Sequence, residues 1–404
     1  MSIAIYTLTS ELHDEKAVGM MTKEFLGGLD IDYEFMGSDY ATYGSHSLDL
    51  LYVRTGGTEG IFRHLLPTLK SKSARPFYLL TSGKSNSLAA SMEILSFLNQ
   101  HGISGEIIHG NTGYIRKRIL LLERAGQAMQ QLKGCRLGII GEPSDWLISS
   151  NANKQKVKEL LGIDLIDIPM QELLDTIAIM PMADAEEQAP TEAIRKALPG
   201  AHRIYLALKS LVERHRLNGF TLRCFDLLTS VHNTGCLALA RLNSEGLVAG
   251  CEGDVPAMLS MMIVRAAIGV SGFQANPANI DPETGEMLFA HCTIPFNLVE
   301  RYELDTHFES GIGVGIRGYM KEGPVTIFKI AGDLSRSFIE EGELVRNQSK
   351  PDLCRTQQII QLSDPTLASY FLTNPIGNHH IILPGHHKEL LAEIVKRIVC
   401  LPIC

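Results

Sequence analysis

The sequence predicts an α/β protein in which two α/β domains precede a β-rich, barrel-like C-terminal domain. Three observations support this prediction. The composition is that of a globular protein, with 45% hydrophobic and 20% charged residues. Strand-like and helix-like segments alternate through the first two thirds, a pattern typical of parallel sheets covered by helices. Beyond about Gly272, short strand-like runs are separated by Gly, Pro, Asn and Asp, which is typical of a barrel or sandwich. We therefore expect domains at 1–133, 134–268 and 269–404.

The individual elements follow from apolar periodicity and from turn residues. In the first domain we expect strands at 2–9, 48–54 and 76–81, and helices at 11–26 and 111–132, with others ending near 70 and 100. In the second we expect strands at 136–141, 163–168, 221–228 and 247–251, with a long helical stretch to 216. In the third we expect strands at 287–292, 313–320, 324–331 and 356–362, and a final helix at 387–399.

Composition also excludes several classes of function. The net charge is −8, so no basic surface for nucleic acid is expected. The longest apolar stretch, 255–273, is interrupted by Pro256 and Arg265, so no membrane span is expected. The eight cysteines form no Cys-x-x-Cys pair, which disfavours a zinc ribbon and is consistent with reduced thiols. We expect a soluble cytoplasmic protein.

The most informative segment runs from Cys251 to Ala257. A strand is expected to end at Cys251, and Asp254 is placed to cap the next helix, with Pro256 in its first turn. Glu252 then projects from the carboxyl end of a strand, where open α/β sheets place ligands. For Asp254 two roles stay open, a helix cap or a second acidic group of a site.

A second segment concentrates imidazoles, with four of the 14 histidines between His379 and His387. Imidazole is a metal ligand and titrates near neutrality. If the chain is extended here, His379 and His380 point to opposite faces, so one of them at most serves a given ion. A third candidate is His291, which follows a strand-like run, although a single strand histidine is more often a core residue.

One carboxylate with one or two imidazoles, and no thiolate, favours manganese, magnesium or cobalt over structural zinc. The Gly-rich turns at 55–59 and 82–87 follow predicted strands and could bind an anion through backbone N–H groups. Arg54 and Lys84 lie in or beside these turns and are candidate substrate-binding residues. The alternative is that both turns are simple strand–helix connections and that both cations are solvated.

Taken together, these residues resemble the L-fucose and L-arabinose isomerases. The run Cys251-Glu252-Gly253-Asp254-Val255-Pro256-Ala257 resembles their metal-site segment. Gly377-Asn378-His379-His380 followed by Gly385-His386 resembles their C-terminal histidine segment, and His291-Cys292 before a proline is similar to a histidine strand of the arabinose isomerases. The resemblance covers roughly residues 135–404, and this chain looks like a short, divergent member.

The resemblance implies a metal-dependent aldose–ketose isomerase, usually with Mn²⁺, built from two Rossmann-like α/β domains followed by a β-rich C-terminal domain. It also implies homo-oligomers with sites near subunit contacts. Glu252 becomes a metal ligand and an acid/base group, and His379 a ligand, with His380 the alternative. His291 is a ligand in an arabinose-type arrangement. Where the family has a second acidic ligand this chain has Asn276, whose amide oxygen can bind a cation but cannot exchange a proton.

We therefore expect isomerisation of a deoxy-sugar or a sulfo-sugar through an enediol, with Glu252 and Asp254 as catalytic residues. The expected ion is Mn²⁺ or another divalent cation on Glu252, His291, His379 and Asn276. Substrate contacts are expected from the residues that flank these ligands and from the N-terminal cations, namely Asn378, His380, Arg54 and Lys84. The alternatives are a non-catalytic sugar-binding or regulatory protein and a metal-dependent sugar epimerase or lyase.

Overall fold

A computed structural model describes residues 2–182 and 189–399 and divides them into two compact units. The first unit comprises 2–130 together with 393–399, and the second comprises 131–392 apart from 183–188. The mixed α/β class with parallel sheets is confirmed, and so is a barrel in the C-terminal region. The division into three domains at 133 and 268 stays a prediction.

The first unit is built on a parallel five-stranded sheet with the strand order β2-β1-β3-β4-β5. Its strands are β1 (Ile3–Leu8), β2 (Glu34–Gly37), β3 (Leu48–Val53), β4 (Phe77–Thr81) and β5 (Gly105–Ile108). All six residues of β1 and of β3 are buried, as expected of strands with both faces covered. The helices are α1 (Glu15–Gly27), α2 (Glu59–Lys72), α3 (Ser87–Gln100) and α4 (Thr112–Leu132).

The second unit begins with a parallel four-stranded sheet of order β7-β6-β8-β9. Its strands are β6 (Arg136–Ile140), β7 (Asp164–Ile168), β8 (Gly219–Leu222) and β9 (Val248–Cys251). The helices of this part are α5 (Lys154–Leu161), α6 (Met170–Ile179), α7 (Glu192–His215), α8 (Asp226–Ser230), α9 (Cys236–Ser244) and α10 (Val255–Ile268). Helix α10 is buried along almost its whole length, because it is covered on one side by β9 and on the other by the barrel.

The barrel of the second unit is closed by six antiparallel strands in the order β10-β11-β16-β15-β14-β17. They are β10 (Phe273–Ile280), β11 (Glu286–His291), β14 (Gly323–Ile330), β15 (Ser337–Gln348), β16 (Thr356–Leu362) and β17 (His380–Pro384); β12 (Arg301–Asp305) and β13 (Gly315–Tyr319) form a separate ribbon. Helix α11 (Ala368–Thr373) precedes β17, and α12 (Lys388–Val399) ends the described chain.

The observed elements depart from the predicted ones where tertiary contacts override local pattern. The predicted strand 221–228 ends at Leu222, and the chain turns into α8 from Asp226. Strand β10 was not predicted because it contains Pro277, which the barrel accommodates at an irregularity in the pairing with β11. Strand β15 was not predicted because its many charged residues are not typical of a buried strand. Its side chains nevertheless alternate between buried and partly exposed positions. Among the described residues, no helix combines the length and the apolar character that a membrane crossing requires.

Candidate metal centre

Glu252 is held in an unusual backbone conformation at the end of β9. Its φ is +63° and that of Gly253 is +69°, so two consecutive residues are left-handed. For a residue with a side chain this conformation costs about 1–2 kcal/mol. At Gly253 a Cβ would lie 2.6 Å from the carbonyl oxygen of Glu142, so glycine is required there. The turn ends at Asp254, which caps α10 by accepting a hydrogen bond from the amide of Ala257 at 2.7 Å.

Three side chains from separate parts of the second unit meet at this turn. Glu252 Oε1 lies 3.6 Å from His291 Nε2 and 3.5 Å from His379 Nε2. The two imidazole rings are 5.3 Å apart between centroids. One ligand atom from each of the three residues lies within 4.8 Å of the other two, and all three residues are buried. This grouping is the one that the sequence predicted for Glu252, His291 and His379.

The residues fit a divalent cation. Nε2 of His379 is buried and has no hydrogen-bond partner among the described residues, which is costly for a polar atom. Its distance to Glu252 Oε1 is too long for a strong hydrogen bond but suits two atoms that share one ion. One carboxylate and two imidazoles form a donor set that several divalent transition-metal ions accept.

The second ring nitrogen of each imidazole, Nδ1, has a partner that orients the ring. His379 Nδ1 lies 2.8 Å from Asp254 Oδ2, and His291 Nδ1 lies 3.0 Å from the hydroxyl of Thr293. Lys329 Nζ is 3.5 Å from Asp254 Oδ1, and both of these side chains are completely enclosed. A carboxylate that holds Nδ1–H of a histidine leaves the lone pair of Nε2 for a metal, which is the common supporting contact of such ligands.

Within the protein itself the electrostatics favour a charged pair at the centre, so the proton of His379 must leave before its Nε2 can bind a cation. Burial alone raises the pKa of Glu252, but the positive charge of His379 and the contacts with both imidazoles lower it well below its usual value. Burial alone lowers the pKa of His379, but Glu252 and Asp254 raise it to about 9. Burial lowers the pKa of His291. A carboxylate with a low pKa is a better metal ligand than a general base, so the role of Glu252 in proton transfer stays a prediction.

Asp254 and Lys329 form a buried pair behind His379. Burial lowers the pKa of Lys329 and opposes ionisation of Asp254, while the charge of Lys329 keeps the pKa of Asp254 below its usual value. Because Asp254 is fully buried and engaged by Ala257, Lys329 and His379, its contacts are those of a positioning residue.

His380 lies on the other face of the chain from His379. Its Nε2 is 3.0 Å from the hydroxyl of Tyr370, and its Nδ1 is 3.0 Å from the carbonyl oxygen of Asn378. Burial lowers the pKa of His380 to about 3, and aromatic rings surround it. Both ring nitrogens therefore have partners within the protein, and a substrate-binding role of His380 stays a prediction. The side chain of Asn378 is exposed next to His379.

Asn276 lies on β10, where it pairs with Ala290, the residue before His291. Its Oδ1 is buried and has no hydrogen-bond partner among the described residues. This is compatible with ligation, but the role of Asn276 stays a prediction.

Arg54 and Lys84 belong to the first unit and differ in their surroundings. The Arg54 side chain is buried and donates hydrogen bonds to the hydroxyls of Thr9 and Thr22 and to Glu15. It lines a cavity of about 740 Å³ at the carboxyl ends of β1 and β3. Lys84 is half exposed and pairs with Glu24 at 3.2 Å. Arg54 is therefore the more enclosed of the two predicted substrate contacts.

Three residues of the centre were not predicted. Trp146 donates a hydrogen bond from Nε1 to Glu252 Oε2 at 2.7 Å. Gln274 bonds the backbone of Cys251 and fixes the end of β9 against the barrel. Lys329 lies in β14, a largely apolar strand. A lysine in a buried apolar strand is rare unless it is paired, so this residue was the one sequence signal that could have indicated a buried acidic partner.

A cleft of about 770 Å³ borders the loop 141–146 at the carboxyl edge of the second unit's parallel sheet. Acidic groups predominate among the ionisable residues that line it, and Arg223 is paired with Asp145 and Asp226. This cleft is therefore suited to hydroxyl groups more than to an anion.

Comparison with known proteins shows similarity to sugar isomerases. No protein-family model matches the chain. The chain is 23% identical over 264 residues to the sulfoquinovose isomerase of Priestia megaterium (strain ATCC 12872 / QMB1551). The aligned residues cover 61% of this chain and 59% of that protein. For the sulfoquinovose isomerase of Alkalicoccus urumqiensis the identity is 21%, over 57% of this chain and 56% of that protein. For the sulfoquinovose isomerase of Clostridium sp. (strain MSTE9) the identity is 24%, over 51% of this chain and 47% of that protein. The match therefore spans less than two thirds of the length of these curated relatives.

Proposed function

We propose that this protein is a metal-dependent aldose–ketose isomerase. The observation that carries the proposal is the convergence of Glu252, His291 and His379, with a buried ring nitrogen of His379 that has no partner among the described residues. The similarity to proteins named sulfoquinovose isomerases supports the same reaction class.

Each side chain of the centre has a defined task in this proposal. A bound divalent cation would supply Lewis-acid polarisation of sugar oxygens. Glu252, His291 and His379 hold that cation, and Asp254 orients His379. Glu252 is also our candidate for moving a proton between the two sugar carbons that exchange their oxidation state, and in that step Oε2 must exchange its hydrogen bond from Trp146 for the proton. Asp254, which the sequence offered as a second acid/base, takes a positioning role because substrate cannot reach it.

For the substrate we propose a sulfo-sugar. The relatives' names refer to sulfoquinovose, and Arg54, which is paired with Glu15 at 2.9 Å, places a guanidinium at the edge of a cavity that a small ligand could enter. The acidic cleft beside the loop 141–146 argues against binding of the sulfonate there. Arg54 is therefore our candidate for recognising the anionic group, and Lys84 is the second candidate.

The test separates metal binding from proton transfer with Glu252→Gln. Glutamine keeps an oxygen for the cation and an acceptor for Trp146, but it cannot carry a proton. With a sulfo-sugar and Mn²⁺ we expect kcat to fall by about 10²–10⁴-fold, the usual contribution of a positioned acid/base group. Isothermal titration calorimetry should still detect Mn²⁺ binding. Full turnover by the variant would contradict the role of Glu252.

A reaction in D₂O followed by NMR distinguishes the alternatives. An isomerase that uses an enediol produces the ketose and can introduce deuterium at C1 or C2, whereas an epimerase returns an aldose of altered configuration. A sugar-binding protein without catalysis would bind the sugar and release it unchanged. Those two outcomes would replace the isomerase proposal.

A further inference from the structure

We propose that Trp146 is a positioning residue of the metal centre, an inference that rests on the proposed function. Its indole N–H occupies one oxygen of Glu252 and thereby directs the other toward the imidazoles. Oε2 accepts the indole hydrogen bond at 2.7 Å, while Oε1 is the atom nearest to His291 and His379. The two oxygens of one carboxylate thus have different partners, and the residue that separates them is Trp146.

The loop that carries Trp146 is itself attached to Glu252. The amide of Ser144 donates to the carbonyl oxygen of Glu252 at 3.0 Å. Arg223 donates to the carbonyl oxygen of Pro143 at 2.8 Å and to Asp145 at 2.9 Å. Main chain and side chain of Glu252 are therefore both held by the loop 141–146, which fixes the carboxylate relative to β9.

A second contact fixes the plane of the indole. The ring of Phe225 meets that of Trp146 edge-on, with centroids 4.8 Å apart and an interplanar angle of 78°. Such aromatic pairs contribute about 0.5–1.5 kcal/mol beyond the area they bury. Half of the Trp146 surface is nevertheless exposed, so core packing alone does not account for its position. Its strongest directional contact is the charge-assisted hydrogen bond to Glu252.

This arrangement has a chemical consequence for the centre. A carboxylate with one oxygen held by a neutral donor presents the other oxygen alone, which favours binding through a single atom. A freely rotating carboxylate would also offer both oxygens and would lose more conformational freedom on binding. Removal of the N–H should therefore weaken cation binding without removing a ligand.

The test compares two variants, each of which removes one of two contacts of Trp146 and keeps the other. Trp146→Phe keeps an aromatic ring against Phe225 but removes the N–H, whereas Phe225→Leu removes the ring contact and keeps the N–H. Calorimetry with Mn²⁺ alone should show affinity about 10-fold weaker in Trp146→Phe, as for the loss of an outer partner of a ligand, and little change in Phe225→Leu. Thermal unfolding without metal measures any general loss of structure in each variant.

A spectroscopic readout tests the contact itself. The chain contains one tryptophan, so a protein labelled with ¹⁵N-tryptophan gives one indole N–H signal. We expect this signal to shift in Glu252→Gln and again when Mg²⁺ is added to the unsubstituted protein. An unchanged signal in Glu252→Gln would overturn the inference, as would equal Mn²⁺ affinities of Trp146→Phe and the unsubstituted protein. If the unsubstituted protein binds no Mn²⁺, the proposed metal centre fails, whereas equal affinities contradict only the role of Trp146.

Discussion

The two parallel sheets of this protein present different chemistry at corresponding edges. At the carboxyl edge of the first unit's sheet, Arg54 is bonded to two hydroxyl groups and to Glu15, and it lines a cavity of about 740 Å³. At the carboxyl edge of the second unit's sheet, Glu252 is enclosed and faces two imidazoles. Open α/β sheets place ligands at this edge in general. The architecture therefore provides the location, and the side chains at the strand ends set its chemistry, with a guanidinium in the first unit and a carboxylate with two imidazoles in the second.

The largest expected effect concerns the neighbouring histidines of the second unit. His379→Gln removes a proposed ligand. Loss of a residue that only supports a ligand lowers metal affinity by about 10–100-fold, so the fall in Mn²⁺ affinity here should be larger. His380→Gln should leave Mn²⁺ affinity unchanged and lower the free energy of unfolding by about 1–3 kcal/mol, because Tyr370 loses a buried partner. Calorimetry and urea unfolding measure the two quantities. Weaker Mn²⁺ binding in His380→Gln alone would reverse the assignment of the ligand.

The next effect concerns the support behind His379. Asp254→Asn should weaken Mn²⁺ binding by about 10–100-fold, because the amide holds Nδ1 less firmly than a carboxylate. It should also lower the free energy of unfolding by about 3–5 kcal/mol, since Lys329 is left buried without its counter-charge. In the double variant with Lys329→Met the stability should return while the metal affinity stays low. Recovery of both would show that Asp254 acts only through stability.

The smallest effect is expected in the first unit. Arg54→Met should raise KM for a sulfo-sugar by about 10-fold or more, since a hydrogen bond to a charged group contributes about 1.5–3 kcal/mol. Mn²⁺ affinity should not change. Lys84→Met is the companion variant: its surface pair with Glu24 contributes only about 0–1 kcal/mol, so a higher KM would report a substrate contact. An unaltered KM in both variants would remove the first unit from recognition of the sulfonate.

The grouping of the three ligands could be predicted only in part from the sequence. Glu252 follows an apolar strand and precedes a capped helix, so its position at a sheet edge was readable from local pattern. The family resemblance favoured His379 over His380, but local pattern alone could not choose between them, because alternation along a strand assigns opposite faces without saying which face is the barrel interior. Trp146 and Lys329 were missed for a related reason, since their partners lie far away along the chain.

The amino-acid sequence alone determined the α/β class, the β-rich C-terminal region and the chemical types of the candidate ligands, because periodicity, turn residues and donor atoms are local properties. Tertiary structure decided which donors meet. Closure of the barrel brings His291 of β11 and His379, the residue before β17, to the end of β9. Gln274 and the left-handed turn at Glu252 fix that end in place. Such convergence depends on long-range packing, which no short window of sequence contains.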